Sequence, residues 1–272
     1  MRVALAELAP RPADPAANLA RLAAVVRAAD ADLVSFPELF LSGYRLGDRL
    51  RSVALRPDDA AWGTLADLAR ESRATLVVGA PVVSPERAGE VENAAVVVDP
   101  AGAVHRQVKR YLPTFGPFEE GLVFTPTDRS APIVVGGVRL GLEICYDVFF
   151  PEVTRELAVG GADLLLNVSA SPTTSRPLFD KLLPARAIEN GVPVVYVNRV
   201  GVEDGLVFGG GSGAWDPRGE PLPLLPRPLD GLAEGERLVV AEIDLTAASR
   251  WRPFRPVLRD ITARPARAAG RP

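Results

Sequence analysis

A short apolar strand, an amphipathic helix and a second apolar strand follow one another in the first 36 residues of the chain. Residues 3–6 (VALA) predict the first strand, residues 18–29 carry apolar side chains at helical spacing, and residues 32–36 (DLVSF) predict the second strand. A strand–helix–strand unit of this kind implies parallel pairing and a right-handed crossover. The chain is therefore predicted to adopt an α/β fold.

The same alternation of strands and helices recurs along the rest of the chain. The further predicted elements are a helix at 58–72, strands at 75–79 and 138–144, a helix at 151–160, a strand at 163–167, a helix at 177–190 that Gly191 ends, and a strand at 194–198. Residues 92–98 and 103–108 flank the turn residues Asp99 to Gly102, which predicts a β-hairpin. Two sets of strands with interleaved helices predict one domain, in which two sheets are covered by helices on their outer faces.

We expect this domain to span residues 1–250, because no segment within it has the composition of a linker. Residues 251–272 are rich in proline and arginine. We expect them to form an arm that lies on the surface or at an oligomer interface.

Composition excludes several classes of protein. Hydrophobic residues make up 47% of the chain, charged residues 24%, and the net charge is −3, which is typical of a globular protein with a large core. An acidic chain without a basic stripe is not expected to bind nucleic acid, and no apolar run reaches the roughly 18 residues of a membrane span. The amino terminus is charged too early for a signal peptide and a single cysteine forms no internal disulfide, so we expect a cytoplasmic protein.

No motif for a metal or a nucleotide is present in the sequence. No group of His, Cys, Asp and Glu has the spacing of metal ligands. The glycines at 209–211 lack the Lys-Ser/Thr of a phosphate-binding loop and lie between predicted strands. We expect neither a metal nor a cofactor.

Cys145, the only cysteine, lies where a nucleophile is expected. The predicted strand 138–144 ends directly before it, and Pro151 and Glu152 open the next predicted helix. A thiol between a strand end and a helix amino terminus faces exposed N–H groups, which favour the thiolate. The alternative is a small buried hydrophobic residue, as free cysteines usually are.

Glu38 follows a predicted strand and is surrounded by Phe36, Pro37, Leu39 and Phe40. A carboxylate in these surroundings is partly desolvated, which makes it a stronger proton acceptor and a candidate general base. The alternative is an exposed glutamate in a loop.

Lys109 is one of only two lysines, and it stands at the end of a predicted strand. Residues 109–124 then form a long predicted loop with many aromatic residues, and a loop of this length in a compact domain is usually functional or disordered. The aromatic residues argue against disorder. Lys109 could present its ammonium to a developing oxyanion, and Glu120 could hold the lysine or the nucleophile in place. The alternative for Lys109 is a solvated charge.

A thiol nucleophile needs a proton acceptor, and histidine is the usual one. The only histidine, His105, lies in the middle of the predicted hairpin. We therefore expect a carboxylate to accept the proton, and Glu38 has the most suitable context.

Three ordered motifs resemble those of the carbon–nitrogen hydrolase (nitrilase) superfamily. The matching residues are Phe36-Pro37-Glu38, Lys109, and Glu143-Ile144-Cys145-Tyr146-Asp147 followed by Phe150-Pro151-Glu152. The resemblance extends from Val3 to about Ile243. It implies a four-layer α-β-β-α sandwich that often dimerises through its outer helices, so we expect a homodimer or a higher homo-oligomer.

The resemblance also implies a role for several residues. The implied roles are a general base at Glu38, an electrostatic stabiliser of the tetrahedral intermediate at Lys109 and a nucleophile at Cys145. Glu120 corresponds to a second glutamate that positions the substrate or the lysine; Glu119 is the alternative, and the spacing to Phe124 favours Glu120. The backbone N–H of Tyr146 would complete the oxyanion site.

Part of the sequence is similar to the glutaminase domain of glutamine-dependent NAD synthetases. The similar segments are residues 112–120, 167–172 and 198–212. That subgroup has a substrate-contacting loop tyrosine where this chain has Phe115, and commonly a glutamate after the nucleophile where this chain has Tyr146. These departures favour a stand-alone amidase that acts on a small linear amide. Ser171 and Arg176 are candidates to hold a substrate amino or carboxylate group; the alternatives are a polar loop cap and a surface arginine.

Three other functions remain open. The same residues could process a nitrile through a thioimidate. The chain could instead be a glutaminase-type subunit that supplies ammonia to a separately encoded synthetase, or a non-catalytic protein that binds a partner. The presence of Glu38, Lys109 and Cys145 together argues against the non-catalytic alternative, so the expected partner is a small amide.

Overall fold

The structure is a computed structural model that describes residues 1–263. The strands in this part of the chain are β1 (Arg2–Glu7), β2 (Leu33–Ser35), β3 (Thr75–Val83), β4 (Val91–Val98), β5 (Val104–Val108), β6 (Ile133–Val135), β7 (Val138–Ile144), β8 (Leu164–Ser169), β9 (Val194–Asn198), β10 (Val200–Glu203), β11 (Leu206–Gly209), β12 (Gly213–Trp215), β13 (Leu224–Arg227) and β14 (Arg237–Glu242). The helices are α1 (Pro15–Ala29), α2 (Leu50–Val53), α3 (Ala60–Ser72), α4 (Glu120–Val123), α5 (Pro151–Val159), α6 (Arg176–Asn190), α7 (Ala247–Trp251) and α8 (Val257–Thr262).

The strands form two large sheets and one small hairpin. The seven-stranded sheet has the order β13-β14-β1-β2-β3-β4-β5, the five-stranded sheet has the order β12-β9-β8-β7-β6, and β10 pairs with β11 alone. The predicted parallel pairing of the first two strands is confirmed, because β1 runs parallel to β2. The predicted hairpin is also confirmed, because β4 and β5 pair antiparallel.

The alternation of side chains along the strands places the two sheets face to face with helices outside them. Val3 and Leu5 of β1 share a core cluster with residues of the five-stranded sheet, whereas Ala4 and Ala6 belong to a second cluster with residues of α1 and α3. This is the period of two that a strand buried on both faces requires. The helices α5 and α6 pack against the other side of the five-stranded sheet. The predicted four-layer sandwich is therefore confirmed.

The ends of the long helices follow ordinary capping chemistry. Asp14 accepts a hydrogen bond from the N–H of Ala17 at the start of α1, with Pro15 in its first turn. Gly191 ends α6 in the left-handed conformation with φ +60, as predicted.

One prediction about local structure was wrong. Residues 109–124 were predicted to be a loop without secondary structure, but Glu120 opens the short helix α4. The N–H of Phe124 donates to the carbonyl of Glu120 at 2.9 Å and closes this single turn. The turn forms because Glu120 is buried and held from its side chain, which local sequence does not indicate.

The predicted arm is described as far as residue 263 and is partly helical. Leu258 of α8 packs against the core cluster that contains α5 and α6. Its predicted place at an oligomer interface stays a prediction, and residues 264–272 lie outside the described part. Among residues 1–263, no helix has both the length and the apolar character needed to cross a membrane.

Candidate active site

Lys109 lies at the centre of a buried cluster of polar side chains. Its Nζ lies 2.7 Å from Glu38 Oε1 and 2.7 Å from Glu120 Oε1, and its side chain is fully buried. Asn93 Nδ2 donates to Glu38 Oε1 at 2.8 Å and to Glu120 Oε2 at 3.3 Å. The cluster therefore holds one ammonium between two carboxylates, with an amide that joins the carboxylates.

The pairing of β4 with β5 places Asn93 beside Lys109. Val108, the last residue of β5, pairs with Ala94, and the N–H of Lys109 then donates to the carbonyl of Asn93 at 2.8 Å. Asn93 was not predicted as a site residue. Glu92 and Asn93 are two polar residues in the mostly apolar run at 91–98, which is the signal that could have identified Asn93.

Glu38 connects this cluster to the strands that carry Cys145. Its Oε2 accepts the N–H of Ala170 at 2.8 Å, directly after β8. β8 runs parallel to β7, and Val168 pairs with Ile144, so the residues that follow each strand lie side by side. Cys145 follows Ile144, which brings its thiol within electrostatic range of the carboxylate and the ammonium. The charges of both groups act on its pKa.

Cys145 sits in a sharp turn between β7 and α5. Its φ is +48, a left-handed conformation that is rare outside glycine and costs roughly 1–3 kcal/mol. Cys145 opens a 3-10 turn that ends at Phe149, and Asp147 in this turn accepts N–H groups from Ile144 at 3.1 Å and Tyr111 at 2.9 Å. These hydrogen bonds hold the turn against the segment that follows Lys109.

Burial determines the protonation of the cysteine. It raises the pKa of the Cys145 thiol well above its ordinary value, and the charge of Glu38 raises the pKa further, whereas Lys109 lowers it. The prediction of a thiolate favoured by a helix amino terminus is therefore wrong for this site, because α5 begins six residues later and desolvation dominates. The resting thiol keeps its proton and needs a base to become a nucleophile.

Burial shifts the pKa values of Lys109 and Glu120 in opposite directions. Burial lowers the pKa of Lys109, but the carboxylates of Glu120 and Glu38 outweigh it and hold that pKa above its ordinary value, so the ammonium stays charged. Burial raises the pKa of Glu120 to about 7, although Lys109 lowers it. Glu120 therefore changes its charge in the physiological range of pH.

Phe115 and Tyr146 lie together beside the turn of Cys145. Their ring centroids are 5.4 Å apart, and Phe115 also contacts Phe118 at 5.6 Å. Phe115 is 53% exposed, which is unusual for a large aromatic side chain. The two rings form an apolar wall that is open to solvent.

Ser171 and Arg176 border a small cavity of about 130 Å³ that Tyr196 also lines. Tyr196 is buried and lies close enough to Cys145 for the charge of the thiolate to raise the pKa of its hydroxyl, after burial itself. Arg176 Nε donates to Asp180 Oδ1 at 2.5 Å. Cys145 itself does not line this cavity, and the cavity's arginine already has an acidic partner.

The structure brings Glu38 and Glu120 into contact with Lys109 and separates the alternative residues from this cluster. Glu119 is exposed, so Glu120 is the glutamate that contacts Lys109. His105 is exposed on β5, whereas Cys145 is buried. Among residues 1–263 no group of three or more His, Cys, Asp or Glu is arranged to hold a metal ion. The site combines two carboxylates, a fixed cation and a thiol.

Sequence comparisons show that the chain is similar to known proteins over most of its length. A model of the carbon–nitrogen hydrolase family matches residues 2–253. The chain is 38% identical to an (R)-stereoselective amidase from Pseudomonas sp. over 225 residues, which cover 82% of this chain and 80% of that protein. It is 34% identical to a glutamine-dependent NAD(+) synthetase from Rhodobacter capsulatus over 97% of this chain, but spans only 46% of the synthetase.

Solved structures of an amidase from Nesterenkonia sp. AN1 have a similar fold. One of these structures is a mutant that shows the result of Michael addition of acrylamide at the active site cysteine of that amidase. It is 33% identical to this chain with a TM-score of 0.75, and the match covers 93% of this chain and 97% of that chain. Another mutant, in complex with butyramide, is 33% identical with a TM-score of 0.74 and coverage of 93% and 95%.

Proposed function

This chain belongs to the carbon–nitrogen hydrolase family, and we propose that it hydrolyses a small linear amide through a thioester on Cys145. The observation that carries the proposal is the contact of Lys109 Nζ with Glu38 and Glu120, 2.7 Å from each, beside the only cysteine. A pure binding site does not need a buried ammonium, a proton acceptor and a thiol in one place.

In the first half of the reaction, Glu38 takes the proton of Cys145, and the sulfur attacks the amide carbonyl carbon. The raised pKa of the thiol makes this proton transfer necessary. The oxygen of the tetrahedral intermediate becomes an anion, and the Lys109 ammonium and the N–H of Tyr146 stabilise it. Glu38 then returns the proton to the leaving nitrogen, the C–N bond breaks, and ammonia or an amine departs.

In the second half, a water molecule attacks the thioester. Glu38 accepts a proton from the water, the new tetrahedral intermediate uses the same cation and N–H group, and the C–S bond breaks. The sulfur takes the proton back from Glu38, and a carboxylic acid leaves. The enzyme returns to its starting protonation, with no oxidant or metal in the balance.

The small cavity that Ser171 and Arg176 border supports a short acyl chain. Its volume is about 130 Å³, and it is lined by Tyr196, whose pKa the charge of the Cys145 thiolate raises. Arg176 is paired with Asp180, which partly compensates the charge that a substrate carboxylate would meet; the pair is about half exposed, so this preference for a neutral chain is small. The butyramide complex of the Nesterenkonia amidase is consistent with a substrate of this size.

The proposal is tested with a panel of butyramide, butyronitrile, glutamine and succinamic acid. Ammonia release is measured with wild type and Cys145→Ala, and intact mass after rapid quenching detects the acyl group on the protein. We expect turnover of butyramide, an acyl adduct on the wild type and neither signal with Cys145→Ala. Turnover of butyronitrile alone would make the protein a nitrilase, and glutamine turnover only after addition of a synthetase would make it an ammonia-supplying subunit.

A further inference from the structure

Tyr44 contacts one carboxylate oxygen of Glu120, the second glutamate of the site, and Asn93 contacts the other. Its hydroxyl donates to Glu120 Oε1 at 2.6 Å, and the same oxygen accepts a hydrogen bond from Lys109 Nζ at 2.7 Å. We propose that Tyr44 is a positioning residue, which orients Glu120 and through it the ammonium of Lys109, and that the hairpin β10–β11 holds Tyr44 in place. This inference rests on the proposed function, since it assigns Tyr44 to the same reaction.

A buried carboxylate on the hairpin fixes the backbone at Tyr44. Glu203 Oε1 accepts the N–H of Tyr44 at 2.8 Å and the N–H of Arg45 at 2.7 Å. Its Oε2 accepts a hydrogen bond from Arg199, and both side chains of this pair are almost completely buried. A carboxylate with three charge-assisted or backbone donors is a rigid anchor.

Gly43 permits this close approach. It has φ +89, and a β-carbon there would lie 3.1 Å from Glu203 Oε1. A larger residue would be strained in its backbone and would crowd the anchoring carboxylate. The loop that carries Tyr44 therefore has a glycine at the point where its backbone passes close to Glu203.

The ring of Tyr44 is enclosed by two aromatic side chains from different parts of the chain. It packs edge-on against Phe118 at 6.4 Å and against Phe208 at 6.3 Å between centroids. Phe208 in turn lies under the Arg199 guanidinium at 4.2 Å. These contacts leave the hydroxyl with one direction, toward Glu120.

The hydroxyl acts as a donor throughout the neutral range. Burial raises the pKa of Tyr44 well above its ordinary value, and the charges of Glu120 and Glu38 raise it further. Among the ionisable groups that act on Glu120, Lys109 and Tyr44 lower its pKa, and Glu38 raises it together with burial. The neutral amide of Asn93 also donates to Glu120. Loss of the tyrosine donor would leave the ionised carboxylate less stable.

The test compares Tyr44→Phe with wild type on butyramide across pH 5 to 9. The variant keeps the ring and its packing but removes the hydrogen bond. Loss of a hydrogen bond to a charged group corresponds to roughly a ten- to hundredfold fall in kcat/KM. We also expect the acidic limb of the pH profile to move to higher pH, because Glu120 becomes harder to ionise. Tyr111→Phe is the matched control, since its ring stacks on Phe150 near the same turn.

The rate and the pH profile of Tyr44→Phe decide whether Tyr44 positions Glu120. A fall in rate with a shifted acidic limb in Tyr44→Phe, and neither change in Tyr111→Phe, supports the inference. An unchanged rate, or a fall that is uniform across pH, overturns the positioning role while the proposed function stands. If Cys145→Ala kept wild-type turnover, the proposed function would fail and the role of Tyr44 with it.

Discussion

The backbone of Glu38 lies directly against Gly79 of β3. A β-carbon at Gly79 would lie 2.6 Å from Glu38 Cα and 2.2 Å from the carbonyl oxygen of Pro37, much closer than van der Waals contact. Leu39, which follows, has φ +51 and is already strained. Glu38 reaches Lys109 from this loop, so the absence of a side chain at Gly79 sets the position of the carboxylate.

Gly79→Ala is expected to displace Glu38. Overpacking of this kind costs roughly 1–3 kcal/mol of unfolding free energy, and a misplaced catalytic group lowers kcat by roughly a hundredfold. Chemical denaturation and steady-state kinetics measure the two effects. The control is Gly63→Ala in α3, where a β-carbon meets no atom within 4 Å and which should gain about 0.5–1 kcal/mol without loss of activity. Wild-type kinetics and stability in Gly79→Ala would refute this relationship.

Cys145→Ala is expected to abolish amide turnover and leave the fold intact. The side chain is small and 9% exposed, so its truncation removes little packing. Ammonia release reports activity and a thermal melt reports folding. Because the chain has no other cysteine, loss of labelling by a thiol reagent also verifies the variant. Residual turnover near the wild-type rate would show that another group is the nucleophile.

Lys109→Met is expected to remove both activity and stability. In the proposed mechanism Lys109 stabilises the oxyanion, and its loss corresponds to roughly 3–4 kcal/mol of transition-state stabilisation. The same change leaves Glu38 and Glu120 buried without their cation, which costs roughly 3–5 kcal/mol of unfolding free energy. Urea denaturation at pH 8 and kinetics on butyramide measure these losses.

The second lysine provides the control for that experiment. Lys181 is exposed on α6, so Lys181→Met should change neither the transition-state stabilisation nor the unfolding free energy by more than about 0.5 kcal/mol. If Lys109→Met were as stable as wild type, the two carboxylates would not depend on the lysine charge.

Glu143 makes the stability depend on pH. It is buried on β7, where Thr154 donates to it, and burial raises its pKa to about 7 from an ordinary 4.5. A carboxyl with a raised pKa favours the folded state fully below about 4.5 and loses that contribution as the pH rises through about 7. Glu143→Gln should therefore match wild type near pH 4.5 and be more stable by about 3 kcal/mol at pH 8.

Urea denaturation at several pH values tests this prediction. Glu119→Gln, a change at an exposed glutamate, should show no such dependence on pH. A difference between Glu143→Gln and wild type that is constant with pH would mean that Glu143 does not titrate in this range.

The sequence alone determined the local elements and the chemical identity of the candidate groups. Apolar periodicity predicted the strand that ends before Cys145 and the helix that Gly191 ends, because both depend on residues a few positions apart. Resemblance to a known family then named Glu38, Lys109 and Glu120. Of the two adjacent glutamates, Glu120 contacts Lys109 and Glu119 is exposed, which agrees with the choice of Glu120.

Only the tertiary structure decided how these groups meet and which others join them. Lys109 and Glu38 are 71 positions apart, and Glu38 and Ala170 are 132 positions apart, so their contacts depend on the register of several strands. A shift of one residue in a strand turns each side chain to the opposite face, and no local pattern contains that information. Tyr44 and Asn93 were missed, and the protonation of Cys145 was predicted wrongly, for the same physical reason: burial and long-range charge, rather than neighbours in the chain, control them.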